Sequence, residues 1–537
     1  MEERAVRDFD ITIVGYGPVG QTAAAILGRL GYRVAVVERW DAIYTLSRAA
    51  HVDHEIMRIF QSLGLADEMA KRMKSGRGSV NFDAEGNVLQ RVEVTLHGQS
   101  GWEADYFIYQ PYVEESIDRL VRSLPTVEVF FGMEACGLQQ DAEGVELTMR
   151  PRSGGPEQVI RSQYLIGSDG ANSFVREALG VTDTDLGFEA DWLVVDVRPH
   201  DPDMAIFDQK WGITMTGNGQ ILDPERPSVF IRWLGVEHVR WEFKLIGEET
   251  REAVNSPDAC WRLLSRWGVS PENVELTKHT VYTFRSLVAD QFVVGRVALV
   301  GDSAHRQPPF LGQGLCAGIR DAYGLAWRLD LLLRGHRPST LLASYASERR
   351  GADLTMVQMS VQRGELVSVT DRAEAAARDA AYRAGKIAPM KPLPPLRDGL
   401  QYRNHDSSVP TNAGILSVQG VVRVGDKSGR FDDIVGRGWV VLSRREDVAP
   451  SLRPSQLDVL STLRAVVTRL GTQEGAFEDI EGTYEQWFAT LGCNFVIIRP
   501  DFYVFGTADD VVELRAMIDD LGRQLFAGTP IPTPAIA

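Results

Sequence analysis

The chain has 537 residues, 44% of them hydrophobic, and a formal net charge of −16. This length exceeds what one hydrophobic core usually serves and predicts about three domains, while the acidic balance, with no stripe of Lys and Arg to relieve it, argues against a nucleic-acid partner. No apolar run approaches the roughly 20 residues that span a bilayer, and the N-terminus lacks a signal pattern, so we expect a cytoplasmic protein with no membrane partner. The four cysteines are scattered without CxxC or ligand-like spacing and predict neither disulfides nor a metal site.

The first predicted unit is a strand, a glycine-rich turn, a helix and a second strand. Apolar residues 10–15 predict the first strand, residues 21–30 the helix, and residues 32–38 the second strand. The turn between strand and helix is Gly15-Tyr-Gly-Pro-Val-Gly20, and the second strand ends in an acidic residue. This arrangement predicts a dinucleotide-binding fold.

Each residue of this glycine motif has a predicted task. Gly15 makes the turn, Gly17 lets the backbone approach a pyrophosphate, and Gly20 lets the helix lie close to the sheet. Glu38 is predicted to accept hydrogen bonds from adenosine ribose hydroxyls, and its carboxylate disfavours a 2′-phosphate. The neighbouring Arg39 is included among the predicted cofactor-binding residues.

The section from 183 to 280 is rich in tryptophan and predicts an antiparallel sheet, with strands at 192–198, 228–233 and 239–245. In the third strand Trp241 and Phe243 share one face, and Arg240 and Glu242 share the other. The aromatic face has two interpretations: it roofs an aromatic substrate, or it packs into the core against a helix. Six tryptophans lie in this section: Trp192, Trp211, Trp233, Trp241, Trp261 and Trp267.

A second glycine-rich loop lies far along the chain, at residues 301–315. A buried strand at 297–300 leads into it, Pro308 and Pro309 keep it extended, and a helix to residue 333 follows. The N-terminal amides of that helix would point at whatever the loop holds, and would stabilise an anion there. Asp302, at the end of that strand, is predicted to reach a ribityl or ribose hydroxyl, and Gly312 and Gly314 allow tight turns before the helix.

The C-terminal third is predicted to be a separate domain. Residues 344–385 read as helical and polar, and proline-rich residues 386–400 as a linker. Beyond the linker we predict strands at 438–442, 494–498 and 502–505, and helices at 455–470 and 511–525.

Three motifs in this order resemble the fingerprints of the FAD-dependent aromatic hydroxylases, the single-component monooxygenases of the phenol and para-hydroxybenzoate hydroxylase type. They are the glycine motif at 15–20, Gly167-Ser-Asp-Gly-Ala-Asn-Ser-Phe-Val-Arg176, and Gly301-Asp302. The tracts 47–61 and 281–284 most resemble the 3-(3-hydroxyphenyl)propionate hydroxylase branch. Segment 499–506 resembles the thioredoxin-like C-terminal domain of the phenol hydroxylase branch, although this chain has no CxxC there.

The resemblance implies an α/β fold in which a Rossmann-like FAD-binding domain is interleaved with an antiparallel-sheet substrate domain, followed by the thioredoxin-like domain. The FAD-binding domain would comprise residues 1–182 and 281–385, with a substrate-domain excursion at 72–105. The substrate domain would comprise 183–280, the linker 386–400, and the C-terminal domain 401–537.

The resemblance also implies roles for single residues. Asp169 and Gly170 would lie near the pyrophosphate with Arg48 over it, and Gln110 would lie beside the ribityl chain. A solvated loop arginine and an ordinary helix residue are the alternatives for Arg48 and Gln110. Gly301, Asp302, Pro309, Gly312, Gly314 and Leu315 would contact the cofactor, with Pro308 and Pro309 near the reacting ring, and His305 would hold its loop by a hydrogen bond. His51 and His54 are candidates to deprotonate the substrate, and a surface position is the alternative for each. Many relatives have Asn at the position of Cys316, which leaves any role for that side chain in doubt.

The implied reaction is ring hydroxylation of a small aromatic substrate with dioxygen. NAD(P)H, bound transiently, would reduce FAD, and a flavin C4a-hydroperoxide would transfer one oxygen. The leading hypothesis is ortho-hydroxylation of a 3-(3-hydroxyphenyl)propionate-like phenol. A homodimer is one possible assembly of the chain. The alternatives are a tailoring monooxygenase of a polyketide or other polycyclic phenol, and a non-catalytic binding protein with a dinucleotide fold.

Overall fold

The structure is a computed structural model that describes residues 7–201, 217–336, 340–389, 394–404 and 406–526. Trp211 and residues 390–393 of the predicted linker lie outside these ranges. Within them, no helix is long and apolar enough to cross a membrane.

The strands, in chain order, are β1 Arg7–Val14, β2 Val34–Glu38, β3 His51–Asp53, β4 Lys74–Ser75, β5 Gly78–Phe82, β6 Val88–Glu93, β7 Asp105–Phe107, β8 Val127–Phe131, β9 Met133–Gln140, β10 Val145–Pro151, β11 Gln158–Gly167, β12 Asp183–Pro199, β13 Asn218–Ile221, β14 Ser228–Leu234, β15 His238–Lys244, β16 Val274–Ala289, β17 Val293–Val294, β18 Val297–Leu299, β19 His305–Arg306, β20 Val421–Val424, β21 Lys427–Arg430, β22 Val440–Ser443, β23 Val466–Leu470, β24 Ala476–Asp479, β25 Phe495–Ile498 and β26 Val504–Ala508.

The α-helices are α1 Pro18–Arg29, α2 His54–Ser62, α3 Ala66–Ala70, α4 Gln110–Arg122, α5 Phe174–Ala178, α6 Arg251–Val254, α7 Pro257–Leu264, α8 Gly314–Leu333, α9 Thr340–Val367, α10 Arg372–Arg383, α11 Phe431–Ile434, α12 Pro454–Thr462, α13 Thr483–Leu491 and α14 Val511–Phe526.

The first sheet has the parallel core that a dinucleotide fold requires. Its main path runs β17-β18-β11-β1-β2-β8, and the pairs from β18 to β8 are parallel. The central strands read as continuous apolar runs because both of their faces are covered. The predicted strand, helix and strand at the N-terminus are confirmed as β1, α1 and β2, and the helix predicted after the second glycine loop is confirmed as α8.

The middle sheet is mainly antiparallel and runs β19-β16-β12-β15-β14-β13-β5-β6. It takes β5 and β6 from the early part of the chain, and its strand β16 continues to Ala289. The carboxyl end of β18 and the start of α8 therefore reach this sheet through β19, which pairs with β16.

The two faces of the middle sheet differ in chemistry, and the aromatic face is turned into the core. Trp241 and Phe243 pack with Leu193 and Val195, and the Trp241 ring meets Trp267 at 5.9 Å. Of the two interpretations of this face, the structure supports packing into the core rather than a roof over a substrate. Alternation along β15 places Arg240 and Glu242 on the opposite face.

The C-terminal sheet runs β21-β20-β24-β23-β22-β25-β26. The helix predicted over 455–470 is wrong in its second half: α12 ends at Thr462, and residues 466–470 form β23. Arg464 adopts a left-handed φ of 52°, which no helix interior tolerates, and the β-branched residues after it favour a strand. A thioredoxin-like relationship of this domain stays a prediction.

The C-terminal sheet packs against the rest of the chain, so the linker is not its only connection. One continuous hydrophobic cluster includes residues of both, and the Trp327 and Trp439 rings meet edge to face at 5.7 Å. Trp327 Nε1 also donates to Asp501 at 2.9 Å. The underside of α8 is therefore covered by the C-terminal domain.

Candidate functional site

The site is built around a cavity of about 570 Å³ that lies between the first and middle sheets. The two glycine loops border it on one side, with Gly17, Gly170, Asp302 and Gly314 in its lining. Strands of the middle sheet border it on the other. Segments nearly 300 residues apart in sequence thus share one chamber.

Two helices begin at this cavity without a side chain to cap them. Gly17 precedes α1 and Gln313 precedes α8, and neither first turn has a side-chain cap or an acidic residue. Residues at both helix starts line the cavity. The free N–H groups and the positive ends of two helix dipoles therefore face one space, which suits a ligand with a pyrophosphate and a polar ring edge.

In the first glycine loop, two glycines are required by close backbone contacts and the third faces the cavity. A Cβ on Gly15, whose φ is +98°, would lie 2.4 Å from Ser168 O, and a Cβ on Gly20 would lie 2.1 Å from Gly15 O. A Cβ on Gly17 would meet only Arg48 Nη2 at 4.0 Å, so the space over Gly17 is open to a ligand. These contacts fit a dinucleotide approaching the backbone at Gly17.

Glu38 lies at the end of β2, as predicted for the ribose-binding acid. Its carboxylate accepts hydrogen bonds from the Tyr16 N–H at 2.7 Å and the Trp40 N–H at 2.9 Å, which fixes the direction of the side chain. Arg39 instead lies over the ring of Trp40 at 5.2 Å, and neither Glu38 nor Arg39 is among the cavity-lining residues.

Arg48 and Gln110 both line the cavity and are coupled to each other. Gln110 Oε1 accepts from the N–H groups of Arg48 at 3.0 Å and Ala49 at 2.6 Å, and its amide donates to Glu114 at 2.6 Å. Burial raises the pKa of Glu114 to about 7, although the Gln110 hydrogen bond opposes this. Gln110 thus holds the backbone that carries the exposed Arg48 side chain at the cavity mouth.

In the motif at 167–176, Gly170 faces the cavity and the Asp169 side chain points away from it. Gly170, with φ +80°, lines the cavity and has no protein atom within 4 Å of an added Cβ. Asp169 accepts hydrogen bonds from Ser173 Oγ at 2.5 Å and from the Val175 N–H at 3.0 Å. Burial raises its pKa despite these bonds. Asp169 therefore shapes the start of α5 and is not among the lining residues.

Asp302 is exposed to the cavity at the end of the strand that leads into the second glycine loop. The loop beneath it is fixed by Asp321 of α8, whose Oδ2 accepts from the Gly301 N–H at 2.9 Å and contacts His305 Nε2 at 2.7 Å. Burial alone would lower the pKa of His305, but the charges of Asp353 and Asp321 raise it to about 9. His305 holds its loop by a hydrogen bond, as expected, and Asp321 is a site residue that the sequence did not single out.

His305, Asp321 and Asp353 could, by distance alone, surround a cation, because their ligand atoms lie within 4.8 Å of one another. Arg349 already supplies positive charge there, with Nε donating to Asp321 at 2.7 Å and Nη2 to Asp353 at 2.8 Å. The cluster is therefore a salt-bridge network beneath the loop.

Pro308 and Pro309 have different surroundings. Pro309 lines the cavity, whereas the Pro308 carbonyl accepts a hydrogen bond from buried Ser360 of α9 at 2.5 Å. Gly312, with φ +65°, also lines the cavity, and its carbonyl contacts His51 Nδ1 at 3.2 Å. The loop is thus held at two carbonyls, with Gly314 and Leu315 following it in the cavity lining.

The structure brings His51 to the cavity and leaves His54 outside its lining. His54 Nδ1 contacts Ser100 Oγ at 3.1 Å, because helix α2 begins at His54 and directs the side chain toward residues 98–100. His54 is therefore not in position to deprotonate a substrate in this cavity.

His51 contacts Asp105 through Nε2 at 2.9 Å. Burial would lower its pKa, but the hydrogen bonds to Asp105 and Cys316 raise the pKa well above the ordinary value. Cys316 is fully buried beneath the loop, with Sγ 3.8 Å from the His51 carbonyl, and burial raises the pKa of the thiol. Cys316 therefore packs beneath the loop and does not line the cavity.

The wall provided by the middle sheet combines apolar and polar residues that the sequence alone did not assign to the site. Glu242 lines the cavity with its nearest ion-pair partner, Arg240, at 3.9 Å, and burial raises its pKa. Alternation along β15 predicted that Arg240 and Glu242 share one face, but it could not show which face meets the cavity. The apolar residues that line the cavity from strands of this sheet, or directly after one, are Val92, Val94, Val194, Val229, Ile231 and Phe284. Phe107 of β7 and Phe310 of the second glycine loop also line the cavity.

Comparisons with known proteins agree with this geometry. A family model described as an FAD binding domain matches residues 8–360, and one described as the HcaD C-terminal domain matches residues 414–524. A protein named "Probable NADH-specific resorcinol 4-hydroxylase" from Rhodococcus jostii (strain RHA1) is 36% identical over 98% of this chain and 96% of its own length. A 3-(3-hydroxy-phenyl)propionate/3-hydroxycinnamic acid hydroxylase from Burkholderia cenocepacia (strain HI2424) is 30% identical over 93% of this chain and 94% of its own.

Solved structures share the fold at lower identity. The flavin-dependent monooxygenase PieE, in complex with FAD and substrate, superposes with a TM-score of 0.80 at 20% identity, covering 97% of this chain and 100% of that one. Aklavinone-11 hydroxylase, with FAD and aklavinone, gives 0.77 at 22% identity, covering 98% and 100%. With the family match over residues 8–360 and the relative at 36% identity, the chain belongs to the FAD-dependent aromatic hydroxylases.

Proposed function

We propose that this enzyme uses NADH and dioxygen to hydroxylate a single-ring phenol at a carbon ortho to its hydroxyl group. The leading substrate is a phenol of the 3-(3-hydroxyphenyl)propionate type. The observation that carries the proposal is the shared chamber, in which the loop at Pro309 to Leu315 faces an apolar wall of the middle sheet.

The size and composition of the chamber favour a small aromatic substrate. Its volume of about 570 Å³ must also take part of the cofactor, which favours one ring over a polycyclic skeleton. Phe107, Phe284 and Phe310 line the chamber and suit the faces and edges of an aromatic ring. The names of the 30% and 36% identical relatives support simple phenols as substrates, and that of the R. jostii relative supports NADH.

The residues of this chain that would hold FAD follow from the site. Gly17 and the start of α1 would take the pyrophosphate, Glu38 the adenosine ribose, and Asp302 a hydroxyl of the ribityl chain. The first-turn amides of α8 at Gly314 and Leu315 would face the polar edge of the ring system. When bound and reduced, FAD supplies the activation of dioxygen.

The protein's part in the reaction is orientation, water exclusion and proton handling. The loop at Pro309 is held rigidly, through the Pro308 carbonyl by Ser360 and through the Gly312 carbonyl by His51, so the substrate ring meets a fixed surface. The carboxylate of Glu242 is the acceptor we propose for the phenolic proton, because it lines the chamber and burial raises its pKa toward that of a phenol. The apolar wall excludes water from the reacting carbon.

The test is a substrate screen with the purified FAD-loaded enzyme. NADH oxidation is measured with 3-(3-hydroxyphenyl)propionate, resorcinol, other single-ring phenols and a polycyclic phenol, with hydrogen peroxide release measured in parallel. We expect a single-ring phenol to stimulate NADH oxidation and to gain the mass of one oxygen. Turnover of the polycyclic phenol alone would contradict the proposal and favour a tailoring monooxygenase.

Resorcinol is the second candidate substrate. The specific observation in its favour is the 36% identity to the R. jostii protein, which exceeds the 30% identity to the B. cenocepacia protein. Both candidates are meta-substituted phenols, so one chamber could present either of them for ortho attack. The ratio of their kcat/KM values decides between them.

A further inference from the structure

Arg363 is a buried cation in the cavity wall for which the reaction described above has no use. It lies on α9, one helical turn after Ser360, which holds the Pro308 carbonyl. Its side chain is buried and lines the cavity, while the next residue, Gly364, packs against Phe310. The guanidinium therefore belongs to the same wall as the aromatic residues of the proposed substrate chamber.

The partners of Arg363 are neutral. Nη1 donates to the Tyr382 hydroxyl at 2.9 Å and Nη2 donates to Asn81 Oδ1 at 2.5 Å. Burial lowers the pKa of Arg363, and only the Tyr382 hydroxyl opposes this. Among the residues that the structure describes, no carboxylate forms an ion pair with it.

Arg363 is an exception among the buried arginines of the described chain. Nine other arginines are comparably buried, and each of them has a carboxylate oxygen within 3.6 Å. This agrees with the general rule that buried charges are paired, because an unpaired one is costly. A guanidinium that keeps free donors on a cavity wall is suited to a ligand anion.

Arg363 lies beside the pair of strands β5 and β13. Asn81, which accepts from Arg363, pairs with Gln220 between β5 and β13, and Gln220 lines the cavity. Glu242, the carboxyl group of this wall, has Arg240, Asp196 and Lys278 as its charged neighbours and not Arg363. The free cation and the proposed proton acceptor are therefore separate groups of the same chamber.

We propose that Arg363, held by Asn81 and Tyr382, forms an anion subsite that binds the carboxylate of an acidic side chain on the phenol. This inference rests on the proposed function and adds the residue that recognises the acidic substituent. The subsite would orient the ring by its acidic end and would select 3-(hydroxyphenyl)alkanoates over neutral phenols of the same size.

The test compares a charged and a neutral substrate in three enzymes. The substrates are 3-(3-hydroxyphenyl)propionate and its amide, and the enzymes are the unmodified protein, Arg363→Gln and Arg363→Lys, each with its FAD content measured. We expect Arg363→Gln to raise KM for the acid about 10- to 100-fold, the loss typical of a charge-assisted hydrogen bond, and to leave KM for the amide nearly unchanged. Arg363→Lys should recover part of the loss. Arg372→Gln, a change at an exposed arginine, is the matched control.

A binding measurement separates this inference from the proposed function. Calorimetric titration with 3-phenylpropionate, which has the carboxylate and no phenol to hydroxylate, should give weaker binding to Arg363→Gln than to the unmodified enzyme whether or not any phenol is turned over. Equal binding to both proteins would overturn the subsite. Equal KM values for acid and amide in the unmodified enzyme, or an equal loss for both in Arg363→Gln, would also overturn it. Failure of every phenol to stimulate NADH oxidation would instead count against the proposed function.

Discussion

Glu114 shows how one buried carboxyl group can make the stability of this protein depend on pH. It lies on α4 beside Gln110, which holds the Arg48 backbone, and burial raises its pKa from 4.5 to about 7. Its Oε2 has no hydrogen-bond partner in the described chain. Because the folded state binds this proton more tightly than the unfolded state, the group destabilises the fold increasingly as pH rises from 4.5 to about 7.

We expect Glu114→Gln to be more stable than the unmodified protein above pH 7, by about 3 kcal/mol, and to lose most of this advantage by pH 5. The glutamine carbonyl can still accept the Gln110 hydrogen bond, so the variant removes only the ionisation. Thermal unfolding from pH 5 to pH 8.5 measures the effect. Glu115→Gln, one residue away and exposed, is the control and should show no such dependence. A pH-independent difference for Glu114→Gln would show that Glu114 is not protonated in the fold.

At this scale the sequence predicted residues within continuous motifs better than residues brought together by folding. Gly17, Gly170 and Asp302 were predicted because each stands in a short pattern with a known task, and the structure brings them to one cavity. Arg363 stands in no such pattern, and His51 was one of two candidates that no motif could place. Arg363 donates to Asn81, 282 residues away, and His51 contacts Asp105, 54 residues away, so only the tertiary structure shows which groups surround these two side chains.

At the scale of elements, the turn from β1 into α1 contains one glycine that the fold requires and one that leaves space for the cofactor. Gly20 is in contact with the backbone of Gly15, whereas Gly17 faces open space. Gly20 is therefore required for packing of the turn and Gly17 for access of a ligand, although both belong to the same motif.

Alanine substitutions at these two positions should have different effects. Gly20→Ala places a Cβ 2.1 Å from Gly15 O and should destabilise even the FAD-free protein, by about 1–3 kcal/mol or more. Gly17→Ala meets no protein atom closer than 4.0 Å and should leave the melting temperature of the FAD-free protein unchanged while weakening FAD binding. Melting curves with and without FAD, together with flavin titrations, measure both. A loss of stability in FAD-free Gly17→Ala would contradict the assignment of that open space to a ligand.

The boundary between α12 and β23 shows where periodicity alone misleads. Apolar residues at Val459, Leu460 and Leu463 continue at Val466 and Val467 with a spacing that a helix would also give. The turn at Arg464 breaks this series, and the second half pairs with β22 in parallel. Tertiary pairing decided the outcome there, because short apolar runs are compatible with either structure.

For the whole molecule, the C-terminal domain is joined to the cofactor-binding part by buried charge as well as by aromatic packing. Glu348 of α9 accepts from Arg499 Nη2 at 2.6 Å and from Arg328 of α8 at 3.1 Å, and all three side chains are almost fully buried. Burial would raise the pKa of Glu348, but the two guanidinium groups hold it at about 2. The carboxylate is therefore ionised throughout the physiological pH range.

Arg499→Met should destabilise the protein by about 3–5 kcal/mol, because it takes one of two cations from Glu348 and removes the guanidinium that pairs with buried Asp501. Adding Glu348→Gln to this variant should cost less than the sum of the single changes, since one of the two carboxylates that lost positive charge is then neutral. Arg453→Met, which breaks an exposed pair with Asp519, is the control and should cost at most about 1 kcal/mol. Additive effects in the double variant would argue against the bridge as a joint between the domains.

The alternation along β15 has a practical consequence for redesign. Even-numbered positions 240 and 242 face the chamber, while odd-numbered positions 241 and 243 anchor the sheet against its own core. Residues that line the cavity and residues that pack in the core of the sheet thus alternate along one strand. A library that varies Glu242 of β15 and Ile231 of β14, and keeps Arg240 because its guanidinium pairs with buried Asp196 at 2.6 Å, would sample new substrate preferences while leaving positions 241 and 243 unchanged.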